Sequence, residues 1–263
     1  MARPVVALLT DFGTRDHYAG TMKGVALAIC PEITFVDITH DIAPYDTLGG
    51  ALELAASYRY FPAGTVFVVV IDPGVGSARR AIAAEAGSYR FVGPDNGVLS
   101  LALNEMSPAR VVELTNERYA RPTVSRTFEG RDRFAPAAAW LARGAELAEM
   151  GDPLAAWTQL AIPTPTVAAG RVDGEVVRVD RFGNLVSNLD RRIVEDFAQG
   201  RGIEVTVGGR AVGSVVTTYA DASPGSVCAL FGSSEHLEVA VSGGSAAELL
   251  GLARGATVAL SRV

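Results

Sequence analysis

The stretch that most narrows the possible folds is Val66–Arg80, VFVVVIDPGVGSARR. Its first six residues, Val66–Ile71, are β-branched or aromatic with no polar alternation. Such a strand is stable with both faces covered, as in the middle of a parallel sheet wrapped by helices. The run stops at Asp72-Pro73-Gly74. Pro73 has no N–H for a ladder and Gly74 tolerates positive φ, so the chain turns there. A carboxylate at the end of a buried strand lies at the carboxyl edge of the sheet, where open α/β folds bind ligands. Gly74 and Gly76 leave backbone N–H groups uncovered, and Arg79 and Arg80 add fixed positive charge. The competing reading is a plain Asp-Pro-Gly turn. A Walker A loop is not a candidate, because no GxxxxGK sequence is present.

The same design recurs along the first part of the chain. Pro4–Thr10 reads as a buried strand ending at Asp11-Phe12-Gly13, and Ile33–Ile38 as another strand. His17–Cys30 and Thr47–Phe61 carry apolar residues at helical spacing. Ala81–Ala86 and Tyr89–Val92 read as strands around Gly87-Ser88, and Gly93-Pro94-Asp95-Asn96-Gly97 is a further acidic turn. Alternating strands and helices predict an α/β domain over residues 1–160 with a largely parallel central sheet. Residues 161–170, AIPTPTVAAG, hold two prolines and no charge and are expected to form a linker. Beyond them, over residues 171–263, short strand patterns separated by Gly, Asn, Asp and Ser predict a small all-β barrel.

Asp11, Asp72 and Asp95 each stand near a strand end, so a parallel sheet gathers them on one edge. Three carboxylates there suit either a metal site or recognition of hydroxyls and cationic groups. Arg79, Arg80 and Arg131 nearby argue against a dedicated cation cage. A fourth polar cluster is Thr127–Pro136, TFEGRDRFAP, where Glu129, Arg131 and Asp132 precede a helix. Its simplest reading is a helix start with Asp132 near the cap and the charges solvated. In the second domain Asp180, Phe182 and Asn184 repeat the acid, aromatic, amide theme.

Composition excludes several classes. The chain has 49% apolar and 20% charged residues and a net charge of −6. That acidity argues against nucleic acid as a partner, which needs a basic surface. No apolar run reaches the ~18–20 residues that span a bilayer. The N-terminal MARPVVALLTDFG reads as a first strand rather than a signal peptide, which predicts a cytoplasmic protein. Cys30 and Cys228 form no CxxC pair, and His17, His40 and His236 lack zinc-ligand spacing, so no metal is expected.

Taken together, TDFG (Thr10–Gly13), DPGVGSARR (Asp72–Arg80), GPDNG (Gly93–Gly97), TFEGRD (Thr127–Asp132), DRFGNLVSN (Asp180–Asn188) and FGSSEHLEVAVSGGSA (Phe231–Ala246) resemble the S-adenosyl-L-methionine (SAM) hydroxide adenosyltransferases. These are SAM hydrolases related to fluorinase and chlorinase. The resemblance implies an enzyme that converts SAM and water to adenosine and L-methionine, with SAM as substrate and no cofactor. It also implies a homotrimer with each active site between one subunit's first domain and a neighbour's second. It places Asp11 at the ribose hydroxyls, and Asp72 and Arg79 around the nucleophilic water. Asp95 and Asn96 join the substrate-binding set. Asp180 falls to the methionine ammonium, Phe182 and Asn184 to the adenine, and Ser233 and Ser234 to the methionine carboxylate. The third catalytic position usually holds histidine in TFHGRD; here it is Glu129. Glu129 is expected either to accept the proton or to clamp Arg79. The alternatives are a halide-using adenosyltransferase, a SAM- or adenosine-binding protein silenced by loss of the histidine, and a metal-dependent nucleotide hydrolase using the Asp cluster.

Overall fold

The computed structural model describes residues 3–168 and 170–263. The chain divides into two compact units, Met1–Leu160 and Ala161–Val263. In the first, β1 (Val5–Thr10), α1 (Tyr18–Ile29), β2 (Thr34–Thr39), α2 (Thr47–Ser57), β3 (Val66–Val70), β4 (Ala81–Ala86), β5 (Tyr89–Pro94), α3 (Ser100–Glu105), β6 (Arg110–Glu113) and α4 (Ala135–Ala142) follow in order. The six strands form one sheet ordered β2-β1-β3-β5-β4-β6.

The unalternated apolar run of β3 has a direct packing cause. Successive side chains point to opposite faces of a sheet, and both faces are covered here. Val66, Val68 and Val70 join Val6 and Leu8 against Met22 and Ala26 of α1 and Ala138 of α4. Phe67, Val69 and Ile71 join Ala7 and Leu9 against Leu54 of α2 and Leu103 of α3. Every residue of β3 is buried, so a polar residue at any of them would lose hydration on one face or the other.

The sheet is mixed, which corrects the expectation of a largely parallel one. β1 is parallel to β2 and β3, and β3 is parallel to β5, but β4 runs antiparallel to both β5 and β6. The cause is the link between β4 and β5: only Gly87-Ser88 separates them. Two residues close a hairpin, whereas a parallel return needs a crossover of a dozen or more.

The second unit contains β7 (Thr166–Ala168), β8 (Arg171–Val179), β9 (Leu185–Asp190), α5 (Arg191–Ala198), β10 (Ile203–Val207), β11 (Arg210–Gly213), β12 (Val227–Phe231), β13 (His236–Val241), α6 (Ala246–Leu250) and β14 (Thr257–Arg262). Seven strands run β11-β10-β14-β8-β9-β13-β12, with β7 on β8, and all of these strand pairs are antiparallel. Val216 N–H donates to the Ala229 carbonyl at 2.8 Å and so draws the β11 end toward β12. The sheet is therefore barrel-like and nearly closed, which protects edges that would otherwise be open to pairing. Its core includes Val172, Leu185, Leu237, Val239 and Leu260. The segment expected as a linker contributes β7, whose Thr166, Val167 and Ala168 pair with Asp173, Val172 and Arg171. Among the described residues no helix is long and apolar enough to cross a membrane.

Candidate active site

Two adjacent strands set the site. β1 and β3 are parallel neighbours with Thr10 opposite Val70, so both discharge their next residues at the same edge. Asp11 follows β1 directly and Asp72 follows β3 by two residues. The turn at Asp11 is braced from behind. Thr10 Oγ1 accepts the Phe12 N–H at 3.2 Å and pairs with Nδ1 of buried His40 at 2.8 Å. Asp11 Oδ2 accepts the Tyr45 N–H at 2.8 Å, and Tyr45 holds a left-handed φ of 68° to deliver it.

The Asp72 loop folds back on itself. Val75 N–H reaches the Asp72 carbonyl at 3.2 Å, and Ser77 Oγ donates to the Gly74 carbonyl at 2.6 Å. Gly76 lies at φ 78°, and a Cβ there would stand 2.5 Å from the Arg126 carbonyl oxygen. Only glycine lets this loop back so closely onto the chain that leads to Glu129. The compact loop returns Arg79 to Asp72. Arg79 Nε donates to Asp72 Oδ1 at 2.9 Å, and Nη2 donates to Oδ2. On its other side Nη1 meets Glu129 Oε2 at 2.9 Å. The guanidinium also lies 5.3 Å from the centre of the Phe134 ring.

Asp72, Arg79 and Glu129 therefore form one ion-paired chain, and their side chains are only 7, 10 and 15% exposed. Burial alone would lower the Arg79 pKa, but its bonds to Asp72 and Glu129 outweigh that and hold it above the usual arginine value. The guanidinium is a fixed cation. Asp72 and Glu129 line a cavity of about 280 Å³ with Asp11 and a wall of Phe12, Tyr18 and Phe128, and Arg79 joins the two carboxylates without itself lining it. Those rings pack edge to face or tilted at 5.1–6.0 Å.

The segment that carries Glu129 is braced on both sides by a group that the sequence reading set among solvated charges. Asp132 is fully buried. It accepts Arg131 Nε at 2.6 Å, Arg131 Nη2 at 2.8 Å, Arg121 Nη1 at 3.1 Å and the Ser125 N–H at 2.8 Å. Burial raises its pKa, but Arg131, the Ser125 amide and Arg121 reverse this and leave it below the usual aspartate value. A short π-helical turn, Gly130–Phe134, then leads into α4.

Asp95 and Asn96 are not among the residues that line this cavity. Asp95 is 7% exposed. Its carboxylate accepts Arg80 Nε at 2.8 Å and the Thr158 N–H at 2.7 Å. Asn96 Nδ2 donates to the Ile71 carbonyl at 2.8 Å, and its Oδ1 accepts the Val98 N–H at 3.1 Å. Asn96 thus ties the residue that follows β3, and Asp95 ties Arg80 to Thr158.

The second unit carries its own polar group. Asp180 Oδ1 accepts the N–H groups of Phe182 and Asn184 at 2.9 Å each, and Oδ2 accepts Asn184 Nδ2 at 2.9 Å. Asn184 is buried, while the Phe182 ring stands 77% exposed. Ser233 and Ser234 sit in the turn between β12 and β13, where the Ser234 carbonyl meets His236 Nδ1 at 2.9 Å. Sequence reasoning missed two neighbours, Tyr219 and Glu238, joined by a Tyr219 hydroxyl to Glu238 Oε2 bond of 3.2 Å. Gly232 makes room for this acid, since a Cβ there would lie 1.8 Å from Glu238 Oε1. The available signal was Glu238 itself, the one acid in the otherwise apolar run LEVAV.

Burial, and secondarily the Asp180 charge, push the Glu238 pKa up from the ordinary 4.5. Burial and Glu238 push the Tyr219 hydroxyl up to about 12. The folded protein thus holds the Glu238 proton more tightly than the unfolded chain does. Its contribution to stability is complete below 4.5 and is lost as pH rises through the folded value. Glu238→Gln cannot ionise and still accepts the Tyr219 bond. Its Tm relative to the parent is expected to rise as pH climbs above 4.5 and through the raised folded value. A difference independent of pH in thermal melts would refute the burial cost.

Comparison with known proteins decides the family. The model of the SAM hydroxide adenosyltransferase N-terminal domain matches residues 6–151, and that of the C-terminal domain matches residues 174–259. This chain belongs to the SAM hydroxide adenosyltransferase family. A Salinispora tropica protein named (R)-S-adenosyl-L-methionine hydrolase is 39% identical over 96% of this chain and 95% of its own length. A fluorinase from an Actinoplanes species is 32% identical over 73% of this chain and 74% of its own. The crystal structure of an uncharacterized conserved protein from Thermotoga maritima superposes with a TM-score of 0.91 at 33% identity, over 98% of this chain and all of the other. Within this SAM hydroxide adenosyltransferase, the Glu129 of TFEGRD occupies the wall of the cavity beside Asp72.

Proposed function

We propose that the protein is a cytoplasmic, homotrimeric SAM hydrolase that displaces L-methionine from SAM with water and releases adenosine. The observation that carries this reading is the cavity lined by Asp11, Asp72 and Glu129, the last two bridged by Arg79. Membership of a family whose relatives are named SAM hydrolases supports it.

The sulfonium supplies its own leaving group, so the protein has two tasks. It must hold the 5′ carbon in line with a nucleophile, and it must make water reactive enough to attack. Asp72 accepts a hydrogen bond from the water, and the Arg79 cation favours its hydroxide character as the proton leaves. The new bond joins the water oxygen to the 5′ carbon. The C–S pair returns to sulfur, which becomes the neutral thioether of methionine, and one proton passes through a carboxylate to solvent. Asp11, Asp72 and Glu129 line the cavity and one guanidinium pairs the last two, which leaves the cavity negative and suits a cationic substrate. Asp11 receives the ribose hydroxyls. Asp180, Phe182, Asn184, Ser233 and Ser234 bind the adenine and methionine ends from a neighbouring subunit. Asn96 acts by fixing the chain just after β3 and Asp95 by anchoring Arg80 and Thr158, rather than by touching the substrate.

Incubating the pure protein with SAM in halide-free buffer should yield adenosine and methionine in equal amounts by mass spectrometry. Binding of SAM without methionine release would point to a binding protein. Turnover only with added halide would point to a halogenating enzyme. Sedimentation at the mass of a monomer would remove the trimer.

A further inference from the structure

We propose that His40 is a positioning residue for nucleoside binding: its imidazole holds the turn that carries Asp11 without touching the ligand. The proposal rests on the reading of Asp11 as the ribose carboxylate and names what sets that carboxylate in place. His40 follows β2 directly, and Leu9 of β1 pairs with Thr39, so His40 leaves the sheet at the edge where Thr10 and Asp11 do. It grips the Asp11-Phe12-Gly13 turn at both ends. Its Nδ1 meets Thr10 Oγ1 at 2.8 Å, and its carbonyl accepts the Gly13 N–H at 2.7 Å. The loop that leaves His40 brings Pro44 and Tyr45 to the cavity wall and the Tyr45 N–H to Asp11 Oδ2. Neither Thr10 nor His40 lines the cavity.

The direction of the Thr10 bond decides how firmly the turn is held. A neutral imidazole has one N–H, and only its other nitrogen accepts. His40 Nε2 is buried and lies 3.1 Å from Asp37 Oδ1, off the line of an aligned hydrogen bond. The contact is electrostatic, and a carboxylate beside Nε2 draws the proton there. Burial raises the Asp37 pKa, but Lys23, whose Nζ donates to Asp37 Oδ2 at 2.6 Å, and His40 bring it below the usual aspartate value, so it stays ionised. Nδ1 is then an acceptor, and the Thr10 hydroxyl donates to it. The Thr10 oxygen is left to accept the Phe12 N–H at 3.2 Å. Phe12, Thr10 and His40 form one chain of donors in which each bond strengthens the next. In the other tautomer Nε2 would turn its lone pair toward Asp37, and two N–H groups would compete for the fully buried Thr10 oxygen.

The competing view is that His40 only fills space, and two amides separate the readings. Asparagine sets its oxygen where Nδ1 stands. Glutamine reaches to the place of Nε2 instead and fills more of the volume. Packing alone makes glutamine the better substitute, whereas positioning makes it asparagine. The measurement is calorimetric binding of adenosine and of 2′,3′-dideoxyadenosine, which lacks both ribose hydroxyls. General damage to the fold weakens both ligands alike, whereas a displaced Asp11 weakens adenosine alone. The parent should prefer adenosine by about ten- to a hundredfold, the worth of one or two hydrogen bonds to a carboxylate. His40→Gln should cut that preference about tenfold, and His40→Asn should keep it to within about threefold. Thr10→Val keeps the shape of threonine without its hydroxyl; it should behave as His40→Gln does and serves if that variant folds poorly. Parental preference in His40→Gln or in Thr10→Val would overturn the proposal, as would a larger loss in His40→Asn than in His40→Gln. No preference in the parent would overturn it together with the ribose role of Asp11. Adenosine release from SAM by the parent is a separate readout: its absence rejects the hydrolase reading, while the binding comparison still decides the role of His40.

Discussion

Alanine at Asp72 or at Arg79 is expected to lower kcat for SAM cleavage by about a hundred- to a thousandfold, with KM changed only a few-fold. The magnitude is that of removing a preorganised polar group aimed at developing charge. The asymmetry follows from place. In the proposed mechanism both groups act on the attacking water, whose charge changes in the transition state, whereas substrate affinity comes from contacts made equally before and during reaction. The variants should differ in stability. Asp72→Ala leaves Arg79 paired with Glu129 at 2.9 Å. Arg79→Ala leaves Asp72 and Glu129 facing each other with no cation between them, a loss of about 3–5 kcal/mol for a broken buried pair. Steady-state kinetics on samples checked by circular dichroism and thermal melting test both statements. Parental kcat in either variant would remove that residue from the chemistry.

A stability effect of the same size is expected at Asp132, outside the cavity. Its carboxylate is fully buried and takes four bonds from Arg131, Arg121 and Ser125. Asp132→Ala leaves an amide and two guanidinium groups without their acceptor and should cost about 3–5 kcal/mol. Activity should fall with it, because the same cluster fixes the segment that delivers Glu129. The pH dependence has a defined sign. The folded value lies below the ordinary 3.8, so the stabilisation is present above 3.8 and is lost as pH falls through the folded value. Denaturant unfolding of the parent should weaken over that acid range, and Asp132→Asn should flatten the curve. Parallel curves would assign the role of Asp132 to packing alone.

The sequence carried the strands of the first unit well, because a strand buried on both faces leaves an unbroken β-branched run. It carried Asp11 and Asp72 for the same reason: an acid directly after such a run has one place to go. It did not separate Asp72 from Asp95, which looks alike as an acidic turn. The difference lies in side-chain direction along the Arg79-Arg80 pair. Neighbouring residues of an extended segment point opposite ways, so Arg79 reaches Asp72 at the cavity and Arg80 reaches Asp95 away from it. Periodicity gives that alternation but not its phase. The antiparallel β4 was legible in the two-residue Gly87-Ser88 link and was outweighed by the general α/β pattern. Asp132 was harder, since a charged cluster before a helix reads as solvated. Its burial depends on Arg121, eleven positions upstream, folding back over it.

The neighbouring positions of β1 and β3 have a consequence for how the catalytic centre ages under stress. Asp11 and Asp72 are spaced by the hydrogen-bond lattice of two interior strands, Thr10 beside Val70, a ruler that does not stretch without breaking the sheet. Glu129 arrives from a separate layer, ahead of α4, and ionic ties, its own to Arg79 and those of the Asp132 cluster beside it, keep it aligned. Mild heat or high salt should therefore detach the glutamate while the two aspartates keep their separation, and the enzyme should lose its grip on water before it loses its grip on the nucleoside.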